Sequence, residues 1–223
     1  MVLHKTIIYY TSNREDPKFE KRIQANLLKN CGDLPIISVS QKPIKLGTNI
    51  CVGDVGVSGF NMFRQVEIAL RACKTKFVIS AEADCMYPPD YFKFTPKKDN
   101  VPYRNSNLYV MPDRRAYWFY KKEGATHSQI VGRKFYLKTL ERLFEGEPEW
   151  DTEQKNFPKE KFNSKKEDVF EKVEYYQTEN PVFQVKTHRG MRYYTNSERI
   201  PIYDLPYWGN GKQVRKELLH GVK

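Results

Sequence analysis

The stretch FVISAEADCMYPPDYF, residues 77 to 92, ends an apolar run with two carboxylates, Glu82 and Asp84, one residue apart. Phe77, Val78 and Ile79 form an unbroken apolar run, the pattern of a central strand covered on both faces. Charge at the end of such a strand is costly to bury. The pair is therefore expected to serve a ligand, and a hard divalent cation such as Mg2+ or Mn2+, which takes oxygen ligands and bridges phosphates, suits it. The structural alternative is a solvated strand end with one carboxylate capping a turn.

Working outward, TIIYY (residues 6 to 10) reads as a strand, and KFEKRIQANLLKN as a helix with Phe19, Ile23 and Leu27 on one face. LPIISVS is a second strand, GDVGVSGFN a loop, and NMFRQVEIALRAC a helix presenting Met62, Val66, Leu70 and Cys73. Strand, helix, strand, loop, helix, strand predicts a parallel α/β sheet whose ligand site lies at the carboxyl ends of the strands. After Asp84, SNLYVMP and RRAYWFYKK read as strands. GATHSQIVGRKFYLKTLERLFEG reads as a helix from about Ser128, stopped by Gly146. KKEDVFEKVEYY is expected to be a polar helix covering the site, PVFQVKTHRGMRYYTN a strand, and the tail an aromatic turn followed by a short basic helix.

With 223 residues and 39% hydrophobic content, one elaborated domain is the default. No run is apolar enough to span a bilayer, and MVLHKTIIYY lacks the pattern of a signal peptide, so a cytoplasmic location is expected. Cys31, Cys51, Cys73 and Cys85 contain no CxxC pair, which argues against a zinc site or a disulfide framework and leaves them as packing residues. The net charge of +11 favours an anionic partner. GVSGFN lacks the GxGxxG spacing of a Rossmann dinucleotide site, and no phosphate-cradling glycine loop with lysine is present.

The acid-x-acid strand end resembles that of nucleotide-sugar-dependent glycosyltransferases of the GT-A fold. More specifically, EADCMYPPDYFKFTP and NSNLYVM resemble a small bacterial and phage group of these enzymes. The likeness covers most of residues 6 to 145 and is thin from 147 to 180. It implies an α/β fold, a GT-A-like, Rossmann-like mixed and mostly parallel sheet flanked by helices in a single domain. Residues 1–100 would form the nucleotide-sugar half and 101–223 the acceptor half. The first position of the triplet is often Asp in that fold, and Glu82 departs from it.

The resemblance also implies roles. Glu82 and Asp84 would hold Mn2+ or Mg2+ on a nucleotide diphosphate sugar, with UDP-glucose the expected donor. Thr11, Ser12 and Asn13 would meet the base and ribose, and Gly56, Ser58, Gly59 and Asn61 would approach the donor; alone, these are ordinary turn and N-cap residues. His188 resembles the late histidine that completes the metal or diphosphate site, with Arg189 and Arg192 placed to fork onto phosphate oxygens. Asp168 resembles the base of an inverting transfer, and His127 is its competitor.

For the acceptor, Arg114, Arg115, Tyr117, Trp118 and Tyr120, joined by Trp208 near the end, interleave cations with rings. That composition fits a nucleic acid, whose phosphates and unpaired bases it matches, and equally a core strand with solvated flanks or a sugar platform. DNA carrying 5-hydroxymethylcytosine is the expected acceptor, a polysaccharide or glycolipid the alternative, and a non-catalytic nucleic-acid-binding module the reading from another class.

Overall fold

In the computed structural model, which describes residues 4–121, 124–152, 169–190 and 197–221, the chain opens with β1 (Lys5–Thr11), α1 (Pro17–Asn30), β2 (Ile36–Ser40), β3 (Thr48–Cys51), α2 (Gly59–Ala72) and β4 (Phe77–Glu82). The α1 start is fixed by Asp16, whose carboxylate accepts from the Lys18 and Phe19 amides, with Pro17 in the first turn. Ser58 caps α2 by accepting from the Asn61 amide. β1 lies between β2 and β4, parallel to both, and β3 extends the sheet beyond β2. This short edge strand, exposed at both ends and half-buried between, is absent from the sequence reading; its four residues carry no apolar alternation strong enough to mark it.

The chain continues through β5 (Cys85–Met86), β6 (Tyr103–Asn105), β7 (Leu108–Pro112), β8 (Trp118–Lys121), β9 (Gln129–Gly132), α3 (Arg133–Phe144), β10 (Glu174–Tyr176) and β11 (Val182–Lys186). β12 (Ser197–Ile202), β13 (Asp204–Leu205), β14 (Gly209–Asn210) and α4 (Gly211–His220) complete it. The main sheet has the order β10-β6-β9-β4-β1-β2-β3 and is mostly parallel, with β9 antiparallel to both its neighbours. A second sheet, β12-β8-β7-β11-β5, is mostly antiparallel. The mixed α/β fold with a mostly parallel sheet is the one expected; the second sheet is additional.

Two expected helices are corrected. Residues 129–132 are strand rather than the first turn of α3, because Ile130 and Val131 pair with β4 while Gln129 and Ile130 pair with β6. Two ladders outweigh a helical period that began only at Arg133. Residues 174–176 are β10 rather than helix, with Tyr176 stacked on Phe94 at 3.9 Å between ring centroids. The preceding part of the expected helix, 165–168, lies outside the described residues.

Alternation along β1 sends Ile7 and Tyr9 to one apolar cluster and Ile8 and Tyr10 to another. The first cluster includes Leu27, Ile79, Ala81 and Tyr87; the second lies under α2 and α3. A third cluster packs α1 and α4 against one face of the second sheet through Phe19, Ile23, Trp118, Phe183, Val185, Val214 and Leu218. Buried Gln65 of α2 donates to the Thr11 carbonyl at 2.9 Å and the Val39 carbonyl at 3.2 Å, tying together the ends of β1 and β2. Gln65→Leu strands both carbonyls and is expected to lower unfolding stability by about 1–3 kcal/mol. Urea denaturation checks this; an unmoved midpoint would show that the carbonyls find other partners.

Candidate active site

From β1 the chain steps to β2 and β3 on one side, then returns to β4 on the other. The crevice at the carboxyl ends of β1 and β4 is thus the point where strand order reverses, the place where open α/β sheets bind ligands. Thr11 ends one strand and Glu82 the other. Tyr87 fixes this end of β4: its hydroxyl accepts from the Glu82 amide at 3.0 Å and donates to the His127 carbonyl at 2.8 Å. Tyr91, stacked on it, donates to the Ser80 and Gln129 carbonyls. The tyrosine-proline turn therefore clamps β4 to the segment that opens β9.

The Glu82 carboxylate accepts from the Tyr10 hydroxyl at 2.8 Å. Asp84 accepts from Gln184 Nε2 at 2.8 Å and from the Cys85 thiol at 3.2 Å, while its carbonyl accepts from the Val185 amide. Burial raises the Glu82 acid to about 7, with the Asp84 charge adding to the effect. The Tyr10 hydroxyl and the charges of Lys186 and Lys121 oppose it. Lys121 is lowered to about 8 by burial and then by repulsion from Lys186, against the pull of Cys85, Glu82 and Asp84. His127 is held well below its ordinary value by burial, then by Lys121, Lys186 and Arg104, and so stays a neutral imidazole.

Ligand atoms of Glu82, Cys85 and His127 all lie within 4.8 Å of one another. Beside Asp84, the buried Gln184 Oε1 has no hydrogen-bond partner. The Glu82, Cys85 and His127 group offers a carboxylate, a thiol and a neutral imidazole, a set able to hold a divalent cation, and Asp84 is not part of it. Asp84 remains competent, because each ionised oxygen keeps lone pairs beyond the one it has engaged.

The other sequence-expected residues fall in different places. Thr11 is buried, with Oγ1 accepting from the Asn13 amide, and Asn13, at φ 55°, accepts from the Lys42 amide. Ser12 is half-buried between them. The Gly56 carbonyl accepts from Gln41, Ser58 is the α2 cap, and Gly59 begins that helix. The buried Asn61 amide is engaged on both sides, donating to the Val55 and Asp151 carbonyls and accepting from the Asp151 amide. His188 is exposed and its Nδ1 lies 3.2 Å from Asp113, whose carboxylate also accepts the His188 amide. Arg189 is exposed in the same turn; Arg192 and Asp168 lie outside the described residues.

The aromatic ribbon divides between surface and core. Arg114 and Arg115 are exposed, and Arg115 hydrogen-bonds the Tyr117 hydroxyl. Trp118 is fully buried against Phe183, and half-buried Tyr120 packs on Tyr109. Trp208 donates to the Pro181 carbonyl at 2.6 Å.

Four residues near the strand ends escaped the sequence reading as site residues: Glu15, Cys85, Gln184 and Lys186. For the last two a signal exists, since VFQVK places polar Gln184 and Lys186 on one face and apolar Phe183 and Val185 on the other. Cys85 both packs and joins the ligand group, whereas Cys51 is exposed and does not pack as expected.

Glu15 is buried, and both its oxygens accept from the Thr187 hydroxyl at 2.8 Å. Burial raises its acid to about 7; Asp84 and Glu20 add to the shift, while Thr187 and the Arg189 charge oppose it. The stability this group contributes is present below its ordinary value of 4.5 and is lost as pH rises through about 7. Glu15→Gln is therefore expected to match the wild type at acidic pH and to exceed it by roughly 1–3 kcal/mol on the alkaline side. Denaturant titration across pH reads this; parallel wild-type and variant curves would refute it.

No protein-family model and no curated protein sequence matches the chain. Among solved structures it is similar to S. aureus TarS 1-349 in complex with UDP-GlcNAc, with a TM-score of 0.46 and 11% identity over 85% of this chain and 61% of that one. It is also similar to the mannosyltransferase PcManGT from Pyrobaculum calidifontis in complex with GDP-Man and Mn2+, with a TM-score of 0.41 and 14% identity over 63% and 46%. For the bifunctional IspDF from Campylobacter jejuni the values are 0.40 and 13% over 79% and 50%. The chain thus spans about half to three-fifths of each of these proteins, and no residue role follows from similarities of this size.

Proposed function

We propose that the protein is a metal-dependent glycosyltransferase that moves a sugar from a nucleotide diphosphate sugar to an acceptor hydroxyl. The observation that carries this reading is that Glu82, grouped with Cys85 and His127, and Asp84, held by Gln184, both lie at the strand-order reversal of a mostly parallel sheet. Glu82 and Asp84 would hold Mn2+ or Mg2+, which when bound neutralises charge on the departing diphosphate. Thr11, Ser12 and Asn13, at the end of β1, meet the nucleoside across the same crevice. UDP-glucose is the donor we favour.

In an inverting transfer a base takes the acceptor proton as the oxygen attacks the anomeric carbon. We assign that role to Asp168. The buried His127 is the weaker candidate, since its imidazole is held well below its ordinary pKa and binds a proton poorly. The acceptor we favour is 5-hydroxymethylcytosine in DNA, supported by the net charge of +11 and by the exposed Arg114, Arg115 and partly exposed Tyr117. Trp118 supports the acceptor side only as packing, because its ring is fully buried.

DNA containing 5-hydroxymethylcytosine, incubated with the protein, Mn2+ and a panel of nucleotide sugars, is expected to show a hexose-sized mass gain confined to the modified base. Asp84→Asn is expected to lower that turnover by roughly 100-fold or more, as is a chelator. Slow donor hydrolysis without a gain on DNA would move the acceptor to a glycan or lipid. Neither gain nor hydrolysis would leave a nucleic-acid-binding module.

A further inference from the structure

Two lysines face the carboxylate pair from the second sheet. Along β11, Phe183 and Val185 pack into the third apolar cluster, so Gln184 and Lys186 project from the opposite face. Along β8, Trp118 enters that same cluster, and Tyr120 pairs with Tyr109 on its side of the sheet, so Phe119 and Lys121 also project from the opposite face. Gln184 reaches Asp84 from this face, and Cys85 pairs with Gln184 in the ladder. Lys121 and Lys186 therefore share with Gln184 the face that closes over Glu82 and Asp84.

Each lysine acts electrostatically on Glu82 and on His127, and they repel one another. Among the described residues neither ammonium makes an ion pair or a hydrogen bond, although two carboxylates stand nearby. Neither ammonium nitrogen is among the fully buried unpartnered atoms, so both are open to an anionic ligand entering from solvent. One ammonium would suffice to offset a carboxylate. Two beside an acidic pair suit a ligand with several negative oxygens.

We propose that Lys121 and Lys186 form a fixed cationic clamp for the diphosphate of the bound nucleotide, acting beside the acidic pair and retaining affinity for diphosphate when no divalent cation is present. This rests on the glycosyltransferase reading for the identity of the nucleotide, while the clamp itself needs only the diphosphate. The Gln184 side chain, on the same face as Lys186, holds Asp84 through its Nε2 hydrogen bond.

The test is calorimetric binding of inorganic pyrophosphate in the presence of a chelator, with Lys121→Met, Lys186→Met and the exposed control Lys138→Met. The wild type and the control are expected to bind alike, and each clamp variant to bind roughly tenfold or more weakly. Because each substitution removes an unpartnered ammonium, the variants are expected to melt no lower than the wild type, which separates lost contact from lost fold. Lys121→Arg keeps the charge and is expected to restore most of the affinity.

A clamp variant that binds normally, or a wild type that binds pyrophosphate only with added metal, overturns the proposal. Loss of binding in both variants, with no sugar transferred from any donor, leaves the clamp standing and removes the glycosyltransferase reading. Transfer that survives both substitutions does the reverse.

Discussion

The Tyr87 hydroxyl is the constraint on which the site depends. By accepting from the Glu82 amide and donating to the His127 carbonyl, it joins the point where the β4 ladder stops to a segment forty residues beyond the tyrosine. Backbone groups at a strand end otherwise turn to water or to loops that move. Here they are held by a fully buried ring stacked on Tyr91, which in turn donates to the Ser80 and Gln129 carbonyls. Charged side chains can then stand close together without the backbone yielding to their repulsion.

That rigidity matters because the local electrostatics oppose folding. Glu15 and Glu82 are both raised to about 7 by burial and neighbouring carboxylates, and Lys121 is lowered to about 8. Such shifts mean that the folded chain disfavours the charged forms relative to water. Three apolar clusters, one on each face of the main sheet and one beneath the second sheet, offset this cost. Conflict between local chemistry and global stability is a mark of a functional site.

Much of this was legible in the sequence. The apolar run into Glu82 and Asp84 identified β4, and the helical spacing of Phe19, Ile23 and Leu27 identified the buried stripe of α1. What escaped was non-local. Gln129 to Gly132 became strand only because β4 and β6 lie on either side of it. In the sequence the ribbon around Trp118 fits a ligand-stacking surface and a core strand equally, and the burial of the ring in β8 decides for the core at that residue. Glu15 and Thr187 lie 172 positions apart, a distance that no window along the chain can bridge.

The second sheet has one face packed on the third apolar cluster and an opposite face that combines apolar Leu108 and Val182 with polar Gln184 and Lys186, and both are written into the same strands. A shift of one residue in β11 would turn Phe183 and Val185 towards the carboxylates and push Gln184 and Lys186 into the oil beneath. Packing thus fixes which face Gln184 and Lys186 occupy. An insertion or deletion within β11 would turn its residues to the wrong faces, so the length of that strand constrains the fold as much as the identities of the residues it carries.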